Sequence, residues 1–312
     1  MTCDITNPVF TDEHKARQFL EASRWPDGPV CPHCGQLDTV KVLGGKSMGP
    51  GWYFCGDCRE KFTVRVGTLY ERSHIPLHKW LVATHLMVSS KKGISALQLS
   101  RMLGITYKSA WFMSHRIREQ MTLAAKRGPL GGEGKIVEAD ETWIGGKEAN
   151  KHVGVRNKKN IGGMGKKPVM ALTERGGESR SFRIASVSGK TLRPVLVSNV
   201  SRKSSLMTDQ GGGYFRVGKE FARHETVNHG ADEYVRGDAH TNTSESRFSL
   251  MKRAVYGAHH NVSEAHLTRY LAEWDFKWNT RKISDGERAA IALKGIEGKR
   301  LTYRPADKTT HA

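Results

Sequence analysis

The sequence predicts a multidomain α/β protein, and three observations predict it. Two Cys-x-x-Cys pairs lie between Cys31 and Cys58, and a stretch with helical periodicity follows them. After the glycine-rich break GPLGGEGK at 128–135, short β-rich runs give way to long helical ones. A length of 312 residues suits two or three domains, and 38% hydrophobic residues are enough to build their cores. These signals divide the chain into an N-terminal segment with a cysteine module (1–70), a helical module (71–127), a linker (128–134), an α/β domain (135–295) with a basic loop at 145–167, and a basic tail (296–312). The formal charge is +19 and the pI about 9.8. That surplus lies on both sides of the break, so the expected partner is a polyanion, nucleic acid first. No apolar run reaches the roughly 18 residues of a membrane span. The opening MTCDITNPVFTDEHK carries acids where a signal peptide would carry basic and then apolar residues. A soluble, cytoplasmic, nucleoid-associated protein is expected.

The first element is a metal module. Cys31 and Cys34 in CPHC face Cys55 and Cys58 in CGDC. Two such knuckles can offer four thiolates tetrahedrally to Zn²⁺, the zinc-ribbon arrangement. A redox motif needs only one pair, and a cytosolic chain has little use for disulfides, so the spacing favours zinc. A closed four-ligand site leaves no position for a substrate, so this Zn²⁺ is expected to be structural. Cys3 stands outside the set as a free thiol.

A helix-turn-helix follows. Leu77 to Val88 makes a first helix. Ser95 caps a second carrying Leu97, Leu99 and Met102, Gly104 turns the chain, and Thr106 caps a third from Tyr107 to about Met121. The last helix is basic, as a major-groove reader is. Its exposed face is expected to offer Tyr107, Lys108, Ser114, His115 and Arg118 to DNA; the alternative is an αα-hairpin with merely solvated charges.

In the third domain, strands are expected at Lys135–Ile144, Pro168–Thr173, Ser181–Val187 and Ser205–Thr208, with helices from about Thr243. Asp140 and Asp209 end apolar runs and so project at strand ends. Glu245 shares a helix face with Asn242, Ser249 and Lys252, while Phe248, Met251 and Val255 form the buried face. Two strand aspartates and a helix glutamate can hold two Mg²⁺ ions about 4 Å apart, the arrangement of phosphoryl transfer. Glu138, Glu141, Asp232, Glu233 and Asp238 are rival acids. Gly145 to Lys167 is too rich in Gly, Lys and Arg to pack as core and reads as a mobile basic loop whose Lys147, Lys151, Arg156, Lys158 and Lys159 would neutralise phosphates. Tyr270, Trp274 and Trp278, with Leu267 and Leu271, form an apolar stripe that reads as core rather than as a base-stacking surface.

Taken together, CPHC with CGDC, GVRNKKN, EADETWIGGK, MTDQ, HTNTSESRFSLMKR and YLAEWDFKWNTRK resemble bacterial insertion-sequence transposases of the DDE superfamily. The likeness is to the ISXO-like branch and covers nearly the whole chain. It implies a zinc ribbon and helix-turn-helix followed by an RNase H-like mixed-sheet catalytic domain. It further implies Asp140, Asp209 and Glu245 as ligands of Mg²⁺ (or Mn²⁺), and Lys252 as the basic residue beside the scissile phosphate. Members of the branch vary at the third acid, some carrying Asn; this chain keeps Glu245. The implied activity is binding of double-stranded DNA at terminal inverted repeats, metal-dependent cleavage and strand transfer, with a homo-oligomer assembled on DNA. A DNA-binding regulator with an inactive catalytic domain, or an RNase H-like nuclease, remain open alternatives.

Overall fold

In the computed structural model, which describes residues 4–45, 48–122, 128–146, 148–157, 159, 163–228, 233 and 235–302, the chain forms two units. Cys3, Lys147, Lys158, Asp232 and the end of the basic tail lie outside the described residues. The first unit takes the chain up to Ser90, Ile94–Thr122 and the chain from Ile283 onward; the second takes Lys91–Gly93 and the chain from the linker to Lys282.

The first unit begins with helix α1 (Glu13–Arg24), whose N-cap Asp12 accepts from the Lys15 N–H at 2.9 Å and which buries Ala16 and Leu20. Strands β1 (Val40–Leu43), β2 (Trp52–Cys55) and β3 (Lys61–Thr63) form an antiparallel meander. So small a sheet has little interior of its own, and a cluster of Trp25, Tyr53 and Phe62, with centroids 5.4 to 5.9 Å apart, fills it. Helix α2 (Leu77–Ser89) is mostly buried, and α3 (Ala96–Leu103) and α4 (Tyr107–Gln120) follow with the caps the sequence predicts. Ser95 accepts from Gln98, Gly104 takes the left-handed conformation (φ 59°) that ends α3, and Thr106 accepts from Ser109.

Helix α8 (Asp285–Lys294) packs against α2 and α4, although the sequence places it at the end of the α/β domain. It starts with a Ser284/Glu287 capping box and buries Ala289, Ala292 and Leu293. Beyond it, Leu69 donates to the Ile296 carbonyl (3.0 Å), and Arg24 pairs with Glu297 (2.8 Å). Residues from Ile283 onward thus complete a core begun more than two hundred positions earlier, a pairing that local sequence pattern does not encode.

The second unit is built on one mixed sheet of β4 (Ile136–Ile144), β5 (Lys167–Glu174), β6 (Ser179–Arg183), β7 (Ser205–Asp209) and β8 (Arg223–Val227), ordered β6-β5-β4-β7-β8. The β6, β5 and β4 strands pair antiparallel; β7 and β8 continue parallel to β4. This five-stranded mixed sheet agrees with the expected multidomain α/β class. On one face, Val137, Ala139, Met170, Leu172 and Leu206 meet Leu192 and Leu196 of α5 (Gly189–Asn199). On the other, Ile144, Val169 and Ala171 meet Phe248 and Met251 of α6 (Asn242–Ala254) and Leu271 and Trp274 of α7 (Leu267–Asn279). The aromatic stripe of α7 is therefore core. Buried Arg247 fastens α6 to α7 and β6 by donating to Asp275 and Ser181. The third strand begins and ends earlier than expected, leaving Val187 exposed; α5, which contains Pro194, and β8 carry no clear periodic signal in the sequence.

Candidate metal centre and active site

The cysteines meet as their spacing predicts. Each knuckle is the same turn: Gly35 N–H donates to Cys31 O (2.9 Å) and Arg59 N–H to Cys55 O (3.0 Å), with Gly35 (φ 81°) and Arg59 (φ 61°) both left-handed. Cys31 and Cys58 sulfurs stand 3.6 Å apart and those of Cys34 and Cys55 3.5 Å, and all four ligand atoms lie within 4.8 Å of one another. A tetrahedron with 2.3 Å metal–sulfur bonds has edges of about 3.8 Å, so the donor set fits a structural Zn²⁺. The backbone N–H of Cys58, donated to its sulfur, brings the Cys55 thiol down to about 6, while the crowded sulfurs push the Cys34 and Cys58 thiols up, so without a metal the set does not carry four thiolates.

The helix α4 face is corrected in part. Tyr107 is 56% exposed and Lys108 is exposed, but Ser114 is buried, with His115 at 1% and Arg118 at 2%. The periodic reading assumed one buried stripe made by Ala110, Met113 and Ile117. Beyond its first turn the helix is instead enclosed on the opposite face as well, where the Trp111 and His115 rings stack edge-on at 4.3 Å. In α3, likewise, Leu99 and Leu103 turn inward while Leu97 and Met102 are exposed.

The carboxylates come together by topology. Asp140 lies in the middle of β4, not at its end. The parallel ladder pairs Val137 with Leu206 and Glu138 with Met207, then stops. Carried two residues further, the same offset sets Asp140 beside Asp209 in one row. Alternation puts both on the side of the sheet that α6 covers. There the exposed face of α6 carries Glu245 and Lys252, and a groove of about 420 Å³ is lined by Asp140, Glu245, Ser249, Lys252, Arg253 and Tyr256. Burial pushes the Asp140 carboxyl up to about 7, the charges of Asp209 and Glu245 push the same way, and Lys252 opposes them. Among the described residues only the cysteines bring three or more ligand atoms within 4.8 Å of one another, so the three acids are neighbours without being closed into a cage. An acid held near neutrality beside two more carboxylates is an environment that a hard divalent cation would relieve, and the all-oxygen donor set fits one.

Local hydrogen bonds aim these groups. Asp140 accepts from the Glu141 N–H (2.7 Å), Asp209 from the Gly211 N–H (3.1 Å) where the chain turns out of β7, and Glu245 from the Thr241 hydroxyl (3.4 Å). The rival acids take other parts. Glu141 points to the opposite face and accepts from Tyr214, and burial lifts its carboxyl to about 7. Glu138, 0% exposed, accepts from the Thr243 hydroxyl and the Ser244 N–H (both 2.9 Å) and from Arg175 Nε (2.7 Å). It therefore caps the first turn of α6, fixing the helix that carries Glu245 to the strand that carries Asp140. Glu138 sits two positions before Asp140 on one strand face, a spacing that could have singled it out.

In the basic loop the described part folds into two 3₁₀ turns, Glu148–Asn150 and Val153–Val155. Lys151 pairs with Glu148 (2.8 Å), and Arg156 donates to the Lys151 carbonyl; Arg156 and Lys159 are exposed.

Residues 129–279 match the family model described as an ISXO2-like transposase domain, and residues 11–61 match a transposase zinc-ribbon domain. The chain is also similar to an uncharacterized protein in transposable element ISH50 of Halobacterium salinarum, 29% identical over 279 residues, which is 86% of this chain and 92% of that protein. No helix among the described residues is long and apolar enough to cross a membrane.

Proposed function

With residues 129–279 belonging to the ISXO2-like transposase domains and residues 11–61 to the transposase zinc ribbons, we propose that the chain binds double-stranded DNA at the ends of its element and catalyses strand cleavage and strand transfer there. The observation that carries this reading is the parallel β4–β7 register, which carried on by two residues sets Asp140 beside Asp209, together with the groove that Asp140 and Glu245 line. These three carboxylates would hold Mg²⁺ or Mn²⁺, which when bound supplies activation of the attacking oxygen and charge stabilisation at the leaving one. Asp140, Asp209 and Glu245, which when bare repel a phosphodiester, would set its position by where they hold that cation. Lys252, two turns beyond Glu245 on the same face, neutralises and orients that phosphate. Glu138 keeps α6 in register with β4 while this happens. Water attack would free a 3′-OH at the element end, and that hydroxyl would exchange one phosphodiester bond for another in the target. Phosphodiester energy is conserved, so ATP is not needed.

Recognition is assigned to the first unit, with Tyr107 and Lys108 at the exposed start of α4 as base-edge or phosphate contacts. Arg156, Lys159 and the other loop cations add phosphate contacts. Joining two ends implies at least two copies on DNA. The test is purified chain with labelled end DNA and Mg²⁺, followed by a target plasmid. Cleavage and joined product support the reading; binding without cleavage indicates a regulator, and cleavage without joining a nuclease.

A further inference from the structure

The groove that holds Asp140 and Glu245 has an aromatic wall with no part in holding a metal or a phosphate. Asn242, Glu245, Ser249 and Lys252 recur on one helical face, and the next member of that series is Tyr256. It lies in a single π-type turn, Val255–His259, that extends α6. Such wider turns concentrate at functional sites. The turn is anchored from below, because Ala254 and Val255 are buried in the core while Tyr256 is 57% exposed. One groove thus combines the acidic residues Asp140, Glu141 and Glu245, the cations Lys252 and Arg253, and an exposed phenol ring.

We propose that Tyr256 is a stacking platform for an unpaired nucleotide of the DNA strand adjoining the scissile phosphate, with Lys252 and Arg253 holding that nucleotide's phosphates. Every base has a π face that an exposed ring can cover, and cations beside the ring match the flanking backbone. The groove, about 420 Å³ and open on one side, has room for a nucleotide unit. An internal base offers its face to a ring only after leaving its stack, so the occupant is a strand that has left its partner at the point of cleavage. This inference rests on the proposed catalytic reading and adds its substrate form: an end opened by at least one nucleotide.

The test uses the full chain, without added divalent metal, on two end DNAs labelled with 2-aminopurine beside the cleavage position, one fully paired and one with unpaired terminal nucleotides. Wild type should quench the probe in the unpaired DNA, and Tyr256→Phe should keep that quenching. Tyr256→Ala should lose it and bind the unpaired DNA about tenfold more weakly, beyond any loss on the paired one. Equal quenching by wild type and Tyr256→Ala, or an equal loss on both DNAs, would overturn the stacking site. Tyr256-dependent quenching in a protein that cuts nothing when Mg²⁺ is restored would uphold the site and sink the catalytic reading instead.

Discussion

The two candidate metal centres are assembled on opposite plans. The cysteine centre draws its ligands from Cys31 to Cys58, on two like-shaped turns, and closes them to within 4.8 Å of one another. The proposed carboxylate centre would draw its ligands from Asp140, Asp209 and Glu245, on two strands and a helix, with Asp140 and Glu245 open to a groove. A closed centre made by local turns spends its binding free energy on folding its own module. An open centre made by long-range topology requires the fold first, and then holds mutually repelling groups in place for chemistry. Removing a ligand should therefore break the structure at one centre and only the activity at the other.

The largest effect is expected at the thiols. Cys31→Ser or Cys55→Ser should abolish zinc content and unfold the ribbon, since metal in such modules contributes roughly 10 kcal/mol of apparent folding free energy. Metal analysis with thermal melts checks this, and a zinc-free protein with an unchanged first transition would remove the contrast. At the acids the reverse is expected. Asp140→Asn, Asp209→Asn or Glu245→Gln should reduce cleavage about a thousandfold or more while end binding, carried by Lys and Arg, persists. Near-normal cleavage by one variant would exclude that residue from the site.

Stability should also respond in sign. The folded Asp140 carboxyl is raised to about 7, so between the ordinary carboxylate range and 7 the native state binds the extra proton. Without metal, the second unit should lose stability as pH rises through that window, with Glu141 adding to the slope. Asp140→Asn should flatten the slope, and urea melts at several pH values measure it. An unchanged slope would mean that burial does not hold the Asp140 carboxyl above its ordinary range.

A smaller effect is expected at Glu138. Glu138→Ala removes the buried carboxylate that accepts from Arg175 Nε and from the first turn of α6, leaving Arg175 only its bonds to Asp238 and His240, which should cost about 3 kcal/mol. The second unit's melting temperature should fall while zinc content stays whole. The smallest effect is the loss of the Thr106 cap on α4, Thr106→Ala, at about 1 kcal/mol in the first unit. A drop in the second unit's transition instead would show that the two melt together.

How far each centre could be read from the sequence follows from the same contrast. The cysteine set, the caps at Ser95 and Thr106, the Gly104 turn and the buried face of α6 are all local patterns, and the structure carries them as read. The sequence pattern sets His115 and Arg118 on an exposed face and the structure buries both, because one helical stripe says nothing of what covers the opposite side. Glu138 passed for a rival acid because its role depends on Ser244, more than a hundred residues away, arriving at its carboxylate. The loop cations Lys147 and Lys158 lie outside the described residues, and their contacts with DNA stay a proposal tested by salt titration.

The return of the chain from Ile283 to the first unit sets a timetable for synthesis. A ribosome adding about 5–20 residues per second needs on the order of ten seconds or more to traverse the intervening unit before α8 emerges. Until then α2 and α4 lack the partner that buries Ala289, Ala292 and Leu293 against them. The module begun first is completed last, so a nascent chain has its ribbon and a full sheet before it has a finished first core. A message broken after Lys282 would release a product with the whole second unit and an unclosed first one.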